Sequence, residues 1–429
     1  MKNELKRELK TPGAVLMGLG SIIGTGIFVS VAIATQVAGN GIVIAIVLAA
    51  ILAVFNGLSS AQLAAAHPVS GGTYEYGYRF LGPGFGFTAG WMFLIAKSAS
   101  AATAVLGCAG YLFYAFDGGT ENWLLVGSGL VLLALVTLLV SGGIRQSNIA
   151  NKVIVSVTLV GLAALVVAGL FKSGVPARPI ADAFTDTEGS SILYASALMF
   201  VAYTGYGRIA TLGEEVSSPH KTIPRAIILA MTLIVILYLA VSLTALQVMG
   251  ADAFGQTVEG EAAPLMMVAE VLSVPVIGPV ITIAAITAML GVLLNLILGL
   301  SRVMLGMARR RDLPHALSRI HPDSKSPVAA VWITGAVIGL LVLSGDVVFT
   351  WSFSAFTVLI YYAITNLSAL YLPTEQRLYP RWIPVSGLFG CLFLAFWIDP
   401  GIWISGLLLI GIGLIWHTIA RRVREAGTG

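Results

Sequence analysis

Twelve apolar stretches, near residues 13–36, 41–66, 85–116, 122–140, 148–171, 191–213, 225–248, 275–307, 328–344, 347–372, 382–398 and 401–420, cover about two thirds of this 429-residue sequence. Each is close to, or beyond, the roughly 20 apolar residues that carry a helix across a bilayer. Hydrocarbon offers no water to backbone N–H and C=O groups, so such a segment must satisfy them internally, here as a helix. Only 10% of the chain is charged, against about 25% in a soluble domain. The expected fold is an all-α integral membrane protein of 12 transmembrane helices, with short loops and no sizeable soluble domain. The charged start Met1-Lys2-Asn3-Glu4-Leu5-Lys6-Arg7 precedes a run too long for a signal-peptide core. That run is expected to stay in place as the first helix.

Basic residues set the orientation. Eighteen fall on one side of this topology and two, Lys172 and Arg178, on the other. Cytoplasmic loops carry the excess of Lys and Arg, so both termini are expected in the cytoplasm of a multi-pass cell-membrane protein. The net charge of +4 is then a topology signal and gives no reason to expect nucleic acid. Cys108 and Cys391 both lie inside stretches. They read as small core residues, with no disulfide-linked partner subunit implied. The five histidines sit at or near cytoplasmic helix ends without ligand spacing, so no metal site is expected.

Two stretches are interrupted by Gly-x-Gly: Ser21-Ile22-Ile23-Gly24-Thr25-Gly26-Ile27-Phe28, and Phe200-Val201-Ala202-Tyr203-Thr204-Gly205-Tyr206-Gly207. Glycine lowers helix stability by about 1 kcal/mol relative to alanine. Unpaired backbone at membrane depth is tolerated only where it lines a cavity or meets a ligand. Interrupted helices at matching places in two halves point to a transporter's midplane site, although small residues also serve close helix packing. At the first break the outer half-helix starts anew with unpaired N–H groups and the positive end of its dipole, which suit a carboxylate. At the second, the carbonyls from Phe200 to Tyr203 are expected to lose their helical partners and accept from an ammonium. Together the two breaks would grip both ends of an α-amino acid with main-chain atoms.

The motifs around these breaks resemble the amino acid–polyamine–organocation superfamily of permeases. The matching residues are Gly20–Phe28, then Pro68-Val69-Ser70-Gly71-Gly72-Thr73-Tyr74-Glu75-Tyr76 with Gly82-Pro83 and Gly90-Trp91. Further along come Glu214-Glu215-Val216-Ser217-Ser218-Pro219, Ile223-Pro224-Arg225-Ala226, Ser301-Arg302-Val303-Met304, Ala308-Arg309 and Leu313-Pro314. They occur in family order from residue 14 to about 372. The resemblance implies a 5+5 inverted repeat with broken helices 1 and 6, plus two C-terminal helices. The repeats would cover 13–171 and 191–372, with helices 11 and 12 at 382–420. It also implies a central amino-acid site worked by alternating access. The family's carboxylate-binding segment falls on Ile23, Gly24, Thr25 and Gly26. Its amine-binding carbonyls fall on Ile22, Phe200, Val201 and Tyr203, with Ala202 and Gly205 in the same segment. Phe200 or Tyr203 would cover the substrate from outside, and the Pro68–Tyr78 loop resembles a cytoplasmic re-entrant gate element.

Coupling departs from the family pattern. Proton-coupled relatives carry a lysine midway along the fifth helix, where registering Gly143-Ile144-Arg145-Gln146-Ser147 places Thr158. Lys152 comes about one and a half turns too early. Lys97 stands about twelve residues into the third stretch, roughly 18 Å deep, and is the expected titrating group. A structural role for it, or a sodium ion bound near Ala284-x-x-Thr287, remains the alternative. The coupling ion is thus a proton or sodium, and no other cofactor is implied. Arg208 follows the second break and is expected to meet Glu214 or Glu215 as a gate, or to attract an anionic side chain. No Asp or Glu lies at mid-membrane depth, which disfavours cationic substrates. Neutral amino acids are expected first and acidic ones second, with exchange an alternative to symport. A non-transporting amino-acid sensor is the competing class, and no nucleophile–base pair marks an enzyme.

Overall fold

The computed structural model describes residues 10–67, 71–116, 121–143, 148–171, 188–210, 216, 218–259, 263–322 and 324–426. Its regular elements are helices throughout. In chain order they are α1 Thr11–Ile22, α2 Val31–Ala38, α3 Ile42–Ala66, α4 Thr73–Phe80, α5 Pro83–Ala115, α6 Asn122–Ser141 and α7 Asn148–Phe171. There follow α8 Gly189–Tyr203, α9 Gly207–Ala210, α10 Pro219–Met249, α11 Ala251–Gln256, α12 Pro264–Leu272 and α13 Ile277–Arg309. The series ends with α14 Val328–Val342, α15 Val347–Leu370, α16 Trp382–Ala395 and α17 Pro400–Ala426.

Among the described residues, 8 helical runs are long and apolar enough to cross a membrane, and Thr11–Ile22, Val328–Val342 and Trp382–Ala395 are shorter apolar helices. The chain is a multi-pass membrane protein. One of the 8 runs, Gly26–Ala66, joins the later part of the first stretch to the whole of the second. The Gly39–Gly41 turn between them is itself helical, of the 3₁₀ kind, and Gly39 takes φ 51°, a backbone region open to glycine.

Helix ends follow local chemistry. Pro83 and Pro219 occupy first turns, where a missing N–H costs nothing. Asp346 caps α15 by accepting from the amides of Val348 at 2.8 Å and Phe349 at 2.9 Å. Such a cap contributes about 1 kcal/mol.

Burial sorts the helices into pillars and lipid-facing staves. In the most apolar window of both α5 and α15, 83% is buried, against 22% for α17 and 33% for α6. Val131, Leu135 and Leu138 on α6, and Leu408, Ile412 and Ile415 on α17, are exposed, as lipid contact permits. The pillars are tied by hydroxyl pairs, Ser100–Ser354 at 2.7 Å and Thr103–Thr350 at 2.8 Å. Without a hydrophobic drive between helices in lipid, such bonds average about 0.6 kcal/mol and fix register. α5 packs chiefly on α15 and α13, α1 on α10 and α7, and α3 on α8 and α10. Both interrupted segments are thereby enclosed by full-length helices.

Candidate functional site

The first interruption is a true break. The last bond of α1 runs from the Ile23 amide to the Leu19 carbonyl at 2.7 Å. Ile23 then turns to an extended backbone, with ψ 110°. The ladder resumes where the amides of Ile27 and Phe28 both donate to the Gly24 carbonyl, at 3.1 and 3.2 Å. The amides of Gly24, Thr25 and Gly26 lie ahead of this first bonded turn, at the positive end of the half-helix that follows. A π-helical turn, Gly26–Ser30, follows directly, a form that often marks functional sites. Ile22, Ile23, Gly24, Thr25 and Gly26 are all buried, and the Thr25 hydroxyl is buried without a hydrogen-bond partner.

The second interruption corrects the sequence expectation. Its helix does not unwind; α8 tightens into a 3₁₀ turn, Thr204–Tyr206, and continues as α9. The Thr204 amide donates to Val201, in place of the Phe200 carbonyl that an α-helical step would use. Val201 also accepts from the Thr204 hydroxyl at 2.8 Å, and Ala202 accepts from the Tyr238 hydroxyl at 3.0 Å. Of the carbonyls expected to be free, those of Val201 and Ala202 are therefore engaged. Tightening exposes fewer polar groups than unwinding, which is why the chain can bury this turn.

Glycine brings the two interruptions together. A Cβ on Gly205 would stand 2.3 Å from the Ser21 carbonyl oxygen, and one on Gly26 would stand 3.0 Å from the Ala202 Cβ. Gly205 is thus the crossing point of the two segments. A Cβ on Gly24 would meet Val292 at 2.5 Å, so α13 forms the opposite wall.

Aromatic side chains cover the turn. Phe200, Tyr203, Tyr206 and Tyr238 are fully buried. Phe200 packs edge-on against Tyr362 with centroids 5.6 Å apart, and the Tyr203 hydroxyl donates to the Ile46 carbonyl at 3.2 Å. Tyr362 also donates to the Thr204 carbonyl at 3.3 Å. Sequence reasoning missed Thr204, Tyr238 and Tyr362. Thr204 was detectable as the polar residue inside the second Gly-flanked segment. The two tyrosines carry no local signal.

Lys97 comes to the same place. Half-buried on α5, it donates from Nζ to the Thr204 hydroxyl at 2.8 Å. That hydroxyl donates in turn to Val201, so the ammonium acts on the 3₁₀ turn through one relay. The other coupling candidates bond back to their own helices. Thr158 donates to Ile154 at 2.8 Å, and Thr287 donates to Ile283 at 2.7 Å. Their helices face each other: a Cβ on Gly161 would touch Ala284 at 3.3 Å. Arg208 is exposed on α9, whose helical phase buries Ile209 and Ala210. Glu214 and Glu215 lie outside the described residues, as do Pro68, Val69 and Ser70. The described part of the expected re-entrant loop is the helix α4, entered through Gly72 at φ 57°. Cys108 and Cys391 are buried free thiols.

A broken helix in lipid, with its loose polar atoms packed against a second interruption, defines a membrane permease class. A family model described as amino acid permease matches residues 13–421, and the chain belongs to that family. It is a transporter family and not one of enzymes. An uncharacterized transporter of Mycobacterium tuberculosis is 40% identical across 100% of this chain and 95% of its own length. A branched-chain amino acid permease of Bacillus subtilis is 29% identical, covering 98% of this chain and 90% of its own. A methylthioribose transporter of Bacillus subtilis is 25% identical, covering 97% and 94%.

Proposed function

We propose that the chain carries neutral amino acids across the cell membrane by proton-coupled symport and alternating access. In this reading twelve spans form two inverted repeats, 13–171 and 191–372, followed by helices at 382–420, with both termini cytoplasmic. The observation that carries it is the buried, unpartnered Thr25 hydroxyl beside the amides of Gly24, Thr25 and Gly26. A substrate carboxylate there would satisfy groups that otherwise cost about 1–3 kcal/mol each. The substrate ammonium would meet the carbonyls of Ile22 and Phe200, with Tyr203 as the outer cover and Arg208 serving the inner gate. The side chain would face Ala288 and Val292, which are apolar and small or branched. The names of the branched-chain relatives support the neutral class. Sodium coupling is the weaker reading, since sodium needs several oxygen ligands and Ala288 stands beside Thr287 where a second hydroxyl would help. Acidic substrates are the second reading, with Lys97 on Thr204 as a cation beside the second interruption.

The test is uptake of radiolabelled amino acids into proteoliposomes under separate proton and sodium gradients, with unlabelled competitors. Branched-chain competitors and a proton gradient are expected to dominate. Binding without accumulation or exchange under any gradient would favour a sensor. One substitution checks the carboxylate site itself. Thr25→Val deletes only the orphan hydroxyl, so the melting temperature should hold or rise while substrate affinity weakens about tenfold, ~1.4 kcal/mol. Unchanged affinity would remove Thr25 from the site.

A further inference from the structure

Far from the breaks, at the cytoplasmic end of α13, a carboxylate is buried to 0% exposure: Asp312. Its Oδ2 accepts from Tyr74 at 2.7 Å and from Tyr78 at 2.6 Å, both on α4. Its main-chain carbonyl accepts from Trp416 Nε1 at 2.8 Å, and His417 Nδ1 lies 3.5 Å from Oδ1, both on α17. Arg310 roofs this cluster, 4.2 Å over the Tyr78 ring, and pairs with Glu75 at 2.6 Å. Burial, and then the bond to Asp312, hold the Tyr74 phenol well above its ordinary range, so it remains a donor at physiological pH. Three elements distant in sequence thus converge on one carboxylate.

The other side of α4 meets α15. The Thr73 hydroxyl pairs with Thr365 at 2.7 Å, and the Thr73 amide donates to Tyr361 at 3.3 Å. Tyr361 adjoins Tyr362, with centroids 4.9 Å apart, and Tyr362 is the residue that holds Phe200 and the Thr204 carbonyl. A continuous chain of contacts therefore runs from Asp312 through α4 and α15 to the second interruption.

We propose that Asp312 is a positioning residue for transport: through Tyr74 and Tyr78 it fixes α4, and α4 sets the α15 tyrosines against the 3₁₀ turn. Asp312 touches no substrate. The proposal rests on the alternating-access reading above, in which α4 belongs to the inner gate. Removing the carboxylate leaves two phenols without their acceptor and frees α4, so the cycle slows while the closed site still binds.

The experiment compares Asp312→Ala, the Tyr74→Phe/Tyr78→Phe double variant, the triple variant and Asp312→Asn, all in proteoliposomes, after gel filtration shows each to be folded. Three readouts are taken: maximal amino-acid uptake, substrate affinity in detergent, and labelling of Val292→Cys by an impermeant maleimide from the cytoplasmic side. Labelling uses a background lacking Cys108 and Cys391. Asp312→Ala and the double variant should each lower maximal uptake at least tenfold, the triple no further, with affinity within twofold. Asp312→Asn, which keeps an acceptor, should recover much of the rate. Labelling should rise several-fold in the slow variants. Additive losses, a parallel loss of affinity, or rates and labelling unchanged from the parent would overturn the proposal. If the parent protein itself moves no amino acid, the transport reading fails; labelling then still judges Asp312, because accessibility needs no flux.

Discussion

Gly205→Ala is expected to abolish uptake and to lower the melting temperature of the purified protein. The added Cβ would stand 2.3 Å from the Ser21 oxygen and 2.5 Å from its carbonyl carbon. Both are backbone atoms at the end of α1, so no side chain can rotate away. Overpacking of this kind costs about 1–3 kcal/mol, and here it would be relieved by separating the two interrupted segments. That separation would dismantle the place where carboxylate and ammonium are to be held. Gly84→Ala is the control: a Cβ there meets nothing within 4 Å, and alanine favours a helix by about 1 kcal/mol over glycine. It should match or exceed the parent in stability and preserve uptake. Thermal unfolding followed by gel filtration, alongside uptake, reads both. Normal transport by Gly205→Ala would mean that the crossing is not needed.

Lys97→Met should lower uptake by one to two orders of magnitude and flatten its dependence on external pH. Methionine keeps most of the length and the apolar stem but cannot donate to Thr204. The lost bond is charge-assisted, a class that contributes about 1.5–3 kcal/mol, which converts to roughly ten- to a hundredfold. On the proposed proton-coupled reading, Lys97 carries the proton while it holds the Thr204 hydroxyl, which itself binds Val201. Uptake should therefore rise as the outside is acidified, since acid loads the carrier. Lys97→Arg separates charge from titration. Arginine retains its proton, so partial activity without pH dependence is the expected result. If Lys97→Met keeps the parental pH profile, the proton carrier lies elsewhere and the Lys97–Thr204 contact is structural.

The two interruptions mark where a sequence pattern is informative and where it stops. Both were visible as glycines inside apolar runs, because glycine marks departure from a helix whatever the surroundings. The form of each departure was not visible. The first unwinds and the second only tightens, with Tyr238, Tyr362 and Trp351 packed around the second. These supply donors to the carbonyls of Ala202, Thr204 and Leu198 from distant helices.

The sequence by itself determined that this chain lives in a bilayer as apolar helices, where two of them falter, and that it belongs among amino acid permeases. The first two rest on composition and local periodicity, which hydrocarbon enforces residue by residue; the family rests on the resemblance of its motifs, Gly20–Phe28 first among them. Tertiary structure alone decided what meets what. Lys97 finds Thr204 across 107 residues, and Asp312 finds Tyr74 across 238. Such pairings depend on how whole helices pack and rotate, and a linear pattern carries no term for that.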